Sequence, residues 1–280
     1  MILSHLDLAT LLMLFNDKLW QRLIIKTFSK ALNEMLRAFL PDASAFREVM
    51  RQTNTVISGP AGLWFLQRLP ADWTPEDLDV ITTNKCFDQV VDYLLGAGGC
   101  TLRERTRLLG GMHWNAFGGQ VRLWTGRRHI NILQSRTATA LHTVAGYAST
   151  SLINALGADS FLTAYPSPTL CGRALVRVEP LQTLKEVQDQ HKKMGVIAVA
   201  RARDLANMRK GCRGSVLCGK TDRRVGDKEC LMIQVGEGTP DALECFRKSE
   251  VTWTFGGLGC GNRQCFLPGD QSGYAHNVLQ

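Results

Sequence analysis

The chain has 280 residues, of which 45% are hydrophobic and 21% are charged. This composition excludes a disordered chain, and it supplies enough apolar material for one large or two modest cores, so we expect a folded, soluble protein. The formal net charge of +8 favours acidic partners such as nucleotides, RNA or an anionic protein surface.

The N-terminal residues predict a helical segment. Helical periodicity extends over 6–24 and 28–39, and Asp42 is suited to cap a third helix that reaches about Arg51. We interpret residues 1–52 as a helical lead-in to the domain that follows.

The apolar run Leu8–Phe15 is neither a signal peptide nor a membrane span. Asp7 and Asp17 flank the run closely, and no small-residue cleavage site follows it. The run is also too short to cross a bilayer. We therefore predict an amphipathic helix and no membrane association.

Predicted strands and helices alternate from Thr55 onward, in the region that we assign as the core of the domain, residues 53–180. Successive elements are a strand to Ser58, a helix over 61–67, a strand over 78–82, a helix over 87–95 ending at Gly96, and strands near 100–108, 112–116, 120–124 and 129–133. Gly118-Gly119 and Thr125-Gly126 are predicted turns. The pattern predicts an α+β protein with an antiparallel or mixed sheet and helices on one side.

Two aspartates on one predicted strand are the strongest functional signal. Asp77 and Asp79 are two residues apart, so their side chains point to the same face of the strand and can share a divalent cation such as Mg²⁺. Upstream, a strand ends at Ser58-Gly59, where a glycine lets the backbone approach phosphate oxygens and the next helix presents free N–H groups. This order is the layout of nucleotidyltransferase folds, with Asp77 and Asp79 as catalytic metal ligands. An acidic turn before a strand is the alternative interpretation.

Two residues depart from a working nucleotidyltransferase site. Pro60 follows the glycine and has no N–H to offer a phosphate. The third carboxylate is expected near 129–133, where the chain has Asn131, whose amide can coordinate a cation but cannot act as a base. Arg127 and Arg128 could counter triphosphate charge if they lie beside the aspartates. We therefore expect a weak Mg-dependent nucleotidyltransferase at best.

The first residues also resemble part of a known module. Residues 2–12, Ile-Leu-Ser-His-Leu-Asp-Leu-Ala-Thr-Leu-Leu, resemble the middle and later part of an F-box, which docks on the Skp adaptor of cullin-type ubiquitin ligases. The opening helix of that module is missing, so the segment is F-box-like and truncated. The alternative is that these residues simply form the first helix of the domain.

The order of motifs resembles a family of fungal proteins that pair an F-box-like start with a degenerate nucleotidyltransferase-like domain. The resemblance covers residues 1–180 and continues through 224–228. It is carried by Pro41–Glu48, Ile57–Gly59, Asp77–Asp79, Ile130–Ile132, Tyr147–Asn154, Tyr165-Pro166 and Arg224–Lys228. It implies a fold retained more for recognition than for chemistry. The family loop usually reads Ser-Gly-Ser, so Pro60 is a departure.

The C-terminal part carries weaker signals. Residues 181–255 are interpreted as a basic extension of the same domain, with a helix over 183–193 and a strand over 231–235. Nine basic residues lie within 201–228 and could receive nucleic-acid phosphates. Aromatic residues are absent from that window, which favours a solvated basic surface. The Gly-rich end, 256–280, is predicted to be loosely ordered.

Cysteine usage indicates an intracellular protein, cytoplasmic or nuclear. The nine cysteines are odd in number and irregular in spacing, so we expect mostly reduced thiols. A metal site built from Cys212, Cys218, Cys260 and Cys265 is a minor alternative.

Two function classes follow. The first is a catalytically degenerate nucleotidyltransferase-like domain that binds a nucleotide with Mg²⁺, using Ser58 and Gly59 as the phosphate loop and Asp77, Asp79 and Asn131 as metal ligands. The second is a non-enzymatic F-box-type adaptor that links a target protein to a ubiquitin ligase through a Skp-type partner.

Overall fold

The computed structural model describes Leu3 and residues 6–15, 17–67, 73–107, 117–178, 182–205, 216–236 and 243–257. Helices within these residues are α1 (Leu8–Phe15), α2 (Lys18–Arg37), α3 (Ala43–Thr53), α4 (Gly59–Gln67), α5 (Phe87–Leu95), α6 (Leu141–Ala145), α7 (Pro166–Leu170), α8 (Leu184–Lys193), α9 (Ala202–Leu205) and α10 (Glu244–Arg247). Strands are β1 (Val56–Ser58), β2 (Asp77–Thr82), β3 (Thr101–Arg107), β4 (Phe117–Trp124), β5 (His129–Ser135), β6 (Asn154–Leu156), β7 (Ser160–Thr163), β8 (Arg173–Leu175), β9 (Ile197–Val199), β10 (Asp222–Arg224), β11 (Leu231–Gln234) and β12 (Thr252–Thr254).

One large mixed sheet organises the described residues. Its strand order is β11-β7-β6-β1-β2-β5-β4-β3. Within it, β2 and β5 run parallel and the other neighbouring strands pair antiparallel. A parallel pair needs a long crossover, and here the chain passes through α5 and the β3–β4 pair before it returns as β5. The prediction of an α+β protein with a mixed sheet is confirmed.

One face of this sheet is covered by the first five helices. Alternate residues of the central strands, including Leu78, Val80, Ile130 and Ile132, are fully buried on that face. They belong to the same hydrophobic core as buried residues of α1 to α5. The predicted N-terminal lead-in is therefore packed as part of the sheet's own core.

The opposite face is covered unevenly. Near β1, β6 and β7, a second core joins Val56, Ile81 and Leu162 to residues of α6 and to Trp253 on β12. At β2, β5 and β4, the same face carries half-buried polar and aromatic side chains instead. The helices thus lie on both sides of the sheet, so the prediction of helices on one side is wrong. The half-buried side chains of β2, β5 and β4 leave that part of this second face partly exposed.

Several predicted helix boundaries are confirmed by their caps. Asp42 accepts a hydrogen bond from the Ala45 backbone N–H at 2.9 Å, and α5 has the predicted bounds before Gly96. Thr183 and Glu186 form a reciprocal capping box at the start of α8.

The predicted break between 24 and 28 is wrong. Asp17 caps α2 through the Leu19 N–H at 2.8 Å, so α2 continues unbroken to Arg37.

The predicted turn at Gly118-Gly119 is also wrong. Both glycines lie within β4, where the pairing with β5 shifts register between Phe117 and Gly119. A Cβ at either glycine would lie 3.1 Å from Oε1 of Gln134, so the bulge is built around that side chain. The turn at Thr125-Gly126 is confirmed, since β4 ends at Trp124 and β5 begins at His129.

Some predictions lie outside the described residues. They include the strand at 112–116, the tail beyond Gly257, and three of the four cysteines of the minor metal-site alternative, Cys212, Cys260 and Cys265. Five described cysteines are free thiols, namely Cys86, Cys100, Cys171, Cys218 and Cys230. No helix in the described ranges is long and apolar enough to cross a bilayer.

A buried ion network fastens α3 to the turn between β6 and β7. Asp159 is 8% exposed and accepts hydrogen bonds from Arg47 at 3.0 Å and from Arg51 at 2.5 and 2.9 Å. Burial raises the pKa of the Asp159 carboxyl, but the hydrogen bonds and charges of Arg51 and Arg47 outweigh burial and hold that pKa below its ordinary value. The network therefore stabilises the fold above the unfolded-state pKa and loses this contribution as pH falls through the folded-state pKa.

We expect Asp159→Ala to lower the free energy of unfolding by about 3 kcal/mol at pH 7, because two guanidinium groups lose their shared carboxylate. Urea unfolding followed by circular dichroism measures the change. Glu48→Ala is the matched control, since Glu48 contacts Arg51 at 2.8 Å from an exposed position and should cost less than 1 kcal/mol. Equal losses for the two variants would contradict the buried network as the stabilising element.

Candidate functional site

A polar row crosses the partly uncovered face of the sheet. Strand pairing places Ser58 opposite Asp79, Asp79 opposite Asn131, Asn131 opposite Arg122, and Arg122 opposite Glu104. Residues that pair across neighbouring strands point to the same face, so five strands contribute one polar side chain each at the same level. We call these five residues the polar row.

The two predicted metal ligands and Asn131 lie together in the structure. The Asn131 side-chain N–H group donates to Oδ1 of Asp79 at 2.9 Å and lies 3.5 Å from Oδ2 of Asp77. The parallel pairing of β2 with β5 causes this meeting, because it sets Asp79 directly beside Asn131. The amide therefore sits between the two carboxylates.

Asp79 is enclosed by residues from three parts of the chain. The hydroxyl of Tyr147, after α6, donates to Oδ2 of Asp79 at 3.2 Å. Gly59 begins α4 with φ of +65°, and a Cβ there would clash with the same oxygen. Only a glycine satisfies both the left-handed backbone and the close approach. Gly59 thus makes room for the Asp79 carboxylate at the start of a helix, where a negative charge is favourable.

This enclosure raises the pKa of the Asp79 carboxyl and of the Tyr147 hydroxyl. Loss of water around the carboxylate raises the pKa of Asp79, and the hydrogen bonds from Asn131 and Tyr147 offset this only in part. Burial and the neighbouring Asp79 charge raise the pKa of Tyr147 well above its ordinary value. Tyr147 therefore stays protonated and acts as a hydrogen-bond donor, not as a base.

Arg122 is the cation nearest to the aspartates among the described residues. Its guanidinium lies 3.6 Å from Oδ2 of Asp77, and both side chains are about 40% exposed, at 41% and 37%. Its Nε atom is buried and has no hydrogen-bond partner within the described part of the chain. The exposed part of the guanidinium can reach a ligand that brings acceptor oxygens beside Asp77.

The structure places the other predicted site residues at the margin of this cluster. The Ser58 hydroxyl is buried and donates to the Asn154 carbonyl oxygen at 2.5 Å, which ties β1 to β6. The Arg128 guanidinium donates to the Pro75 carbonyl oxygen at 2.6 Å and fastens the loop before β2. Arg127 is exposed in the turn between β4 and β5. Within the described residues, neither arginine contacts Asp77 or Asp79.

The donor set fits a divalent cation. Asp77 and Asp79 supply carboxylate oxygens, and rotation of the Asn131 amide would turn its oxygen toward the space that its N–H group now occupies. The partners of Asp79 in the structure, Asn131 and Tyr147, are neutral, so the enclosed charge remains for a cation to balance. No cluster of three or more His, Cys, Asp or Glu side chains that could hold a metal ion occurs in the part of the chain described.

Sequence reasoning did not assign roles to Tyr147 and Arg122. The sequence does contain a signal for Arg122, because the alternation in Gln120-Val-Arg-Leu-Trp124 predicts a strand with Arg122 on the polar face. Tyr147 opens one of the motifs that carry the family resemblance, but its contact with Asp79 follows only from the tertiary fold.

The structure also reveals a serine–histidine contact that sequence reasoning did not predict. Nε2 of His191 lies 2.8 Å from the Ser149 hydroxyl, and Nδ1 lies 2.8 Å from the Val187 carbonyl oxygen. Both Ser149 and His191 are buried, at 2% and 5% exposure. We assign this pair to packing of α8 against the loop after α6, since a buried hydroxyl cannot reach a substrate.

Comparison of the chain with protein-family models, with curated proteins and with solved structures gave no match.

We expect Asp79→Asn to raise the free energy of unfolding at pH 7 by about 1 kcal/mol, because it removes an enclosed charge while keeping the shape of the side chain. The raised folded-state pKa means that the wild-type protein loses stability as pH rises through that pKa, so the gain should shrink toward pH 4. Urea unfolding at several pH values measures both effects. Asp77→Asn, beside Arg122, is the control and should change stability little; destabilisation by Asp79→Asn would contradict an enclosed, uncompensated carboxylate.

Proposed function

We propose that this protein binds the phosphate groups of a nucleotide at Asp77 and Asp79 through a divalent cation, and that it transfers nucleotidyl groups slowly or not at all. The observation that supports this most strongly is the meeting of Asp77, Asp79 and Asn131, with Asn131 within 3.5 Å of both carboxylates. Three oxygen-bearing side chains on one sheet face match the ligands that Mg²⁺ prefers.

Each residue of the site has a separate part in this binding. Asp77 and Asp79 would hold the cation, and Asn131 would contribute its amide oxygen. Mg²⁺, when bound, neutralises phosphate charge and orients a triphosphate. Arg122 lies close enough to Asp77 for its half-exposed guanidinium to contact a phosphate beside it.

The same residues explain why we expect little catalysis. Nucleotidyl transfer needs a group that accepts the proton of the attacking hydroxyl, and an amide cannot do so. Tyr147 is held protonated by burial and by Asp79. The site therefore keeps its means of binding phosphates but has no carboxylate in the third position to serve as base.

We expect calorimetry to detect binding of ATP, CTP, GTP or UTP in the presence of MgCl₂, and no binding when EDTA replaces Mg²⁺. Asp77→Asn/Asp79→Asn should abolish this binding, because two cation ligands lose their charge.

Glu104→Gln is the control for the double variant. Glu104 lies in the polar row on an exposed edge strand, two strands beyond Asn131, so the variant removes a carboxylate without touching the acid pair. Wild-type protein that takes up no nucleotide with Mg²⁺, or a double variant that binds as tightly as wild type, would refute the proposal.

A second candidate function is supported by an exposed apolar group on the first two helices. Met13, Leu19, Trp20 and Leu23 are 71%, 75%, 36% and 43% exposed, although α1 and α2 bury other apolar residues, such as Leu11 and Phe28, in the core. An uncovered apolar group of this kind marks protein interaction sites. It favours the Skp-type adaptor that the resemblance of residues 2–12 implies.

If this second function holds, a pull-down with a Skp-type adaptor should retain the wild-type protein and lose Leu19→Ser/Leu23→Ser. Both side chains are exposed, so the double variant should fold with nearly unchanged stability. Asp77→Asn/Asp79→Asn should still be retained, because the acid pair lies on the sheet face opposite the one that α1 and α2 cover. Failure of the adaptor to retain the wild-type protein would eliminate this candidate.

A further inference from the structure

An aromatic pair lies immediately beside the acid pair. His129 on β5 pairs with Asp77 on β2 and with Trp124 on β4, so the three residues form a second row next to the polar row on the same sheet face. The ring centroids of Trp124 and His129 are 4.6 Å apart, with the ring planes inclined by 52°. Strands are about 4.8 Å apart, so Trp124 stands about 10 Å from Asp77.

An exposed cation, the Arg103 guanidinium, lies over the ring of Trp124. The guanidinium carbon of Arg103 lies 5.7 Å from the centroid of that ring. Arg103 lies at the bulge between Leu102 and Glu104 in β3, and its side chain is exposed. An exposed cation on an aromatic ring contributes only about 0.5–1 kcal/mol. A planar ligand can therefore take the place of Arg103 at small cost.

Two buried polar atoms between these rows have no hydrogen-bond partner within the described residues. They are Nε of Arg122 and Nδ1 of His129. Such atoms are rare in folded proteins, and each costs free energy unless a ligand or water satisfies it. His129 stands between Asp77 and Trp124 in the second row, where the sugar or a phosphate of a nucleotide would lie if its ends occupied those two places.

We propose that Trp124 holds the base of the bound nucleotide, with the base stacked on the indole ring in place of Arg103. The ribose and phosphates would then extend past His129 toward Asp77. This inference rests on the proposed function, because it takes the phosphate end from the cation site. A site of this kind would bind ligands with a planar base more tightly than phosphate compounds that lack one, since stacking accepts any aromatic ring face.

The test compares two ligands that share phosphates and differ in the base. Calorimetry with MgCl₂ measures binding of ATP and of tripolyphosphate to wild-type protein, Trp124→Leu and Trp124→Phe. We expect Trp124→Leu to weaken ATP binding about 5- to 150-fold, the range that base stacking supplies, and to leave tripolyphosphate binding unchanged. Trp124→Phe should keep most of the ATP affinity. Trp20→Leu, on the exposed face of α2, is the control and should change neither ligand.

The outcomes separate this inference from the proposed function. Wild-type protein that binds neither ligand would refute the phosphate site itself. Equal affinity for ATP and tripolyphosphate, unchanged in Trp124→Leu, would overturn the base site and leave the phosphate site standing.

A second measurement covers the case in which Trp124→Leu does not fold. ATP should protect the fluorescence of the wild-type protein from acrylamide quenching, and tripolyphosphate should not. The protection should remain in Arg103→Ala, an exposed substitution that leaves the indole ring in place. Equal quenching with the two ligands would overturn the base site.

Discussion

The site depends on the parallel pairing of β2 with β5. This pairing sets Asp79 beside Asn131 and Asp77 beside His129 on one sheet face. The register is held from the other face, where Leu78, with Val80 and residues of β5, packs against the helices. A shift of one residue would turn the aspartates into the hydrophobic core, so the apolar pattern of these strands fixes the geometry of the polar site.

The enclosure of Asp79 links function to stability. Gly59 and Tyr147 close around the carboxylate, and its raised pKa shows that the surrounding neutral donors do not replace the lost water. An amide in place of this carboxylate would remove the enclosed charge while keeping the shape of the side chain. The carboxylate at Asp79 is thus the feature of the site that packing explains least, and the proposed cation binding depends on it.

Local sequence signals predicted the parts of the fold that depend on local physics. Asp42 and Thr183 predicted helix starts, and the spacing of Asp77 and Asp79 correctly placed both on one strand with Asn131 on another. The errors arose where tertiary context decides. Gly118-Gly119 has the composition of a turn but continues β4, because the pairing with β5 absorbs the bulge.

The candidate site was likewise predicted only in part. Its aspartates and amide follow from strand periodicity, which is local. Tyr147 is 68 residues from Asp79 along the chain, and their contact requires the C-terminal elements to fold over half of one sheet face. Arg127 and Arg128 were predicted near the aspartates from their place before β5, whereas Arg122 reaches Asp77 from the antiparallel neighbour β4.

The charges of the site bear on the proposal that the protein binds a nucleotide with little or no catalysis. Asp77 and Asp79 bring two negative charges and Arg122 brings one positive charge, so the cluster is negative by one charge unit and repels phosphate when no cation is bound. Under the proposed function, a divalent cation held by the two aspartates would reverse that sign, and the Arg122 guanidinium, now 3.6 Å from Asp77, could turn to a phosphate oxygen. A third carboxylate in place of Asn131 would cancel that positive charge. With an amide at position 131, the proposed site would lack a base but would attract phosphate more strongly once the cation is bound.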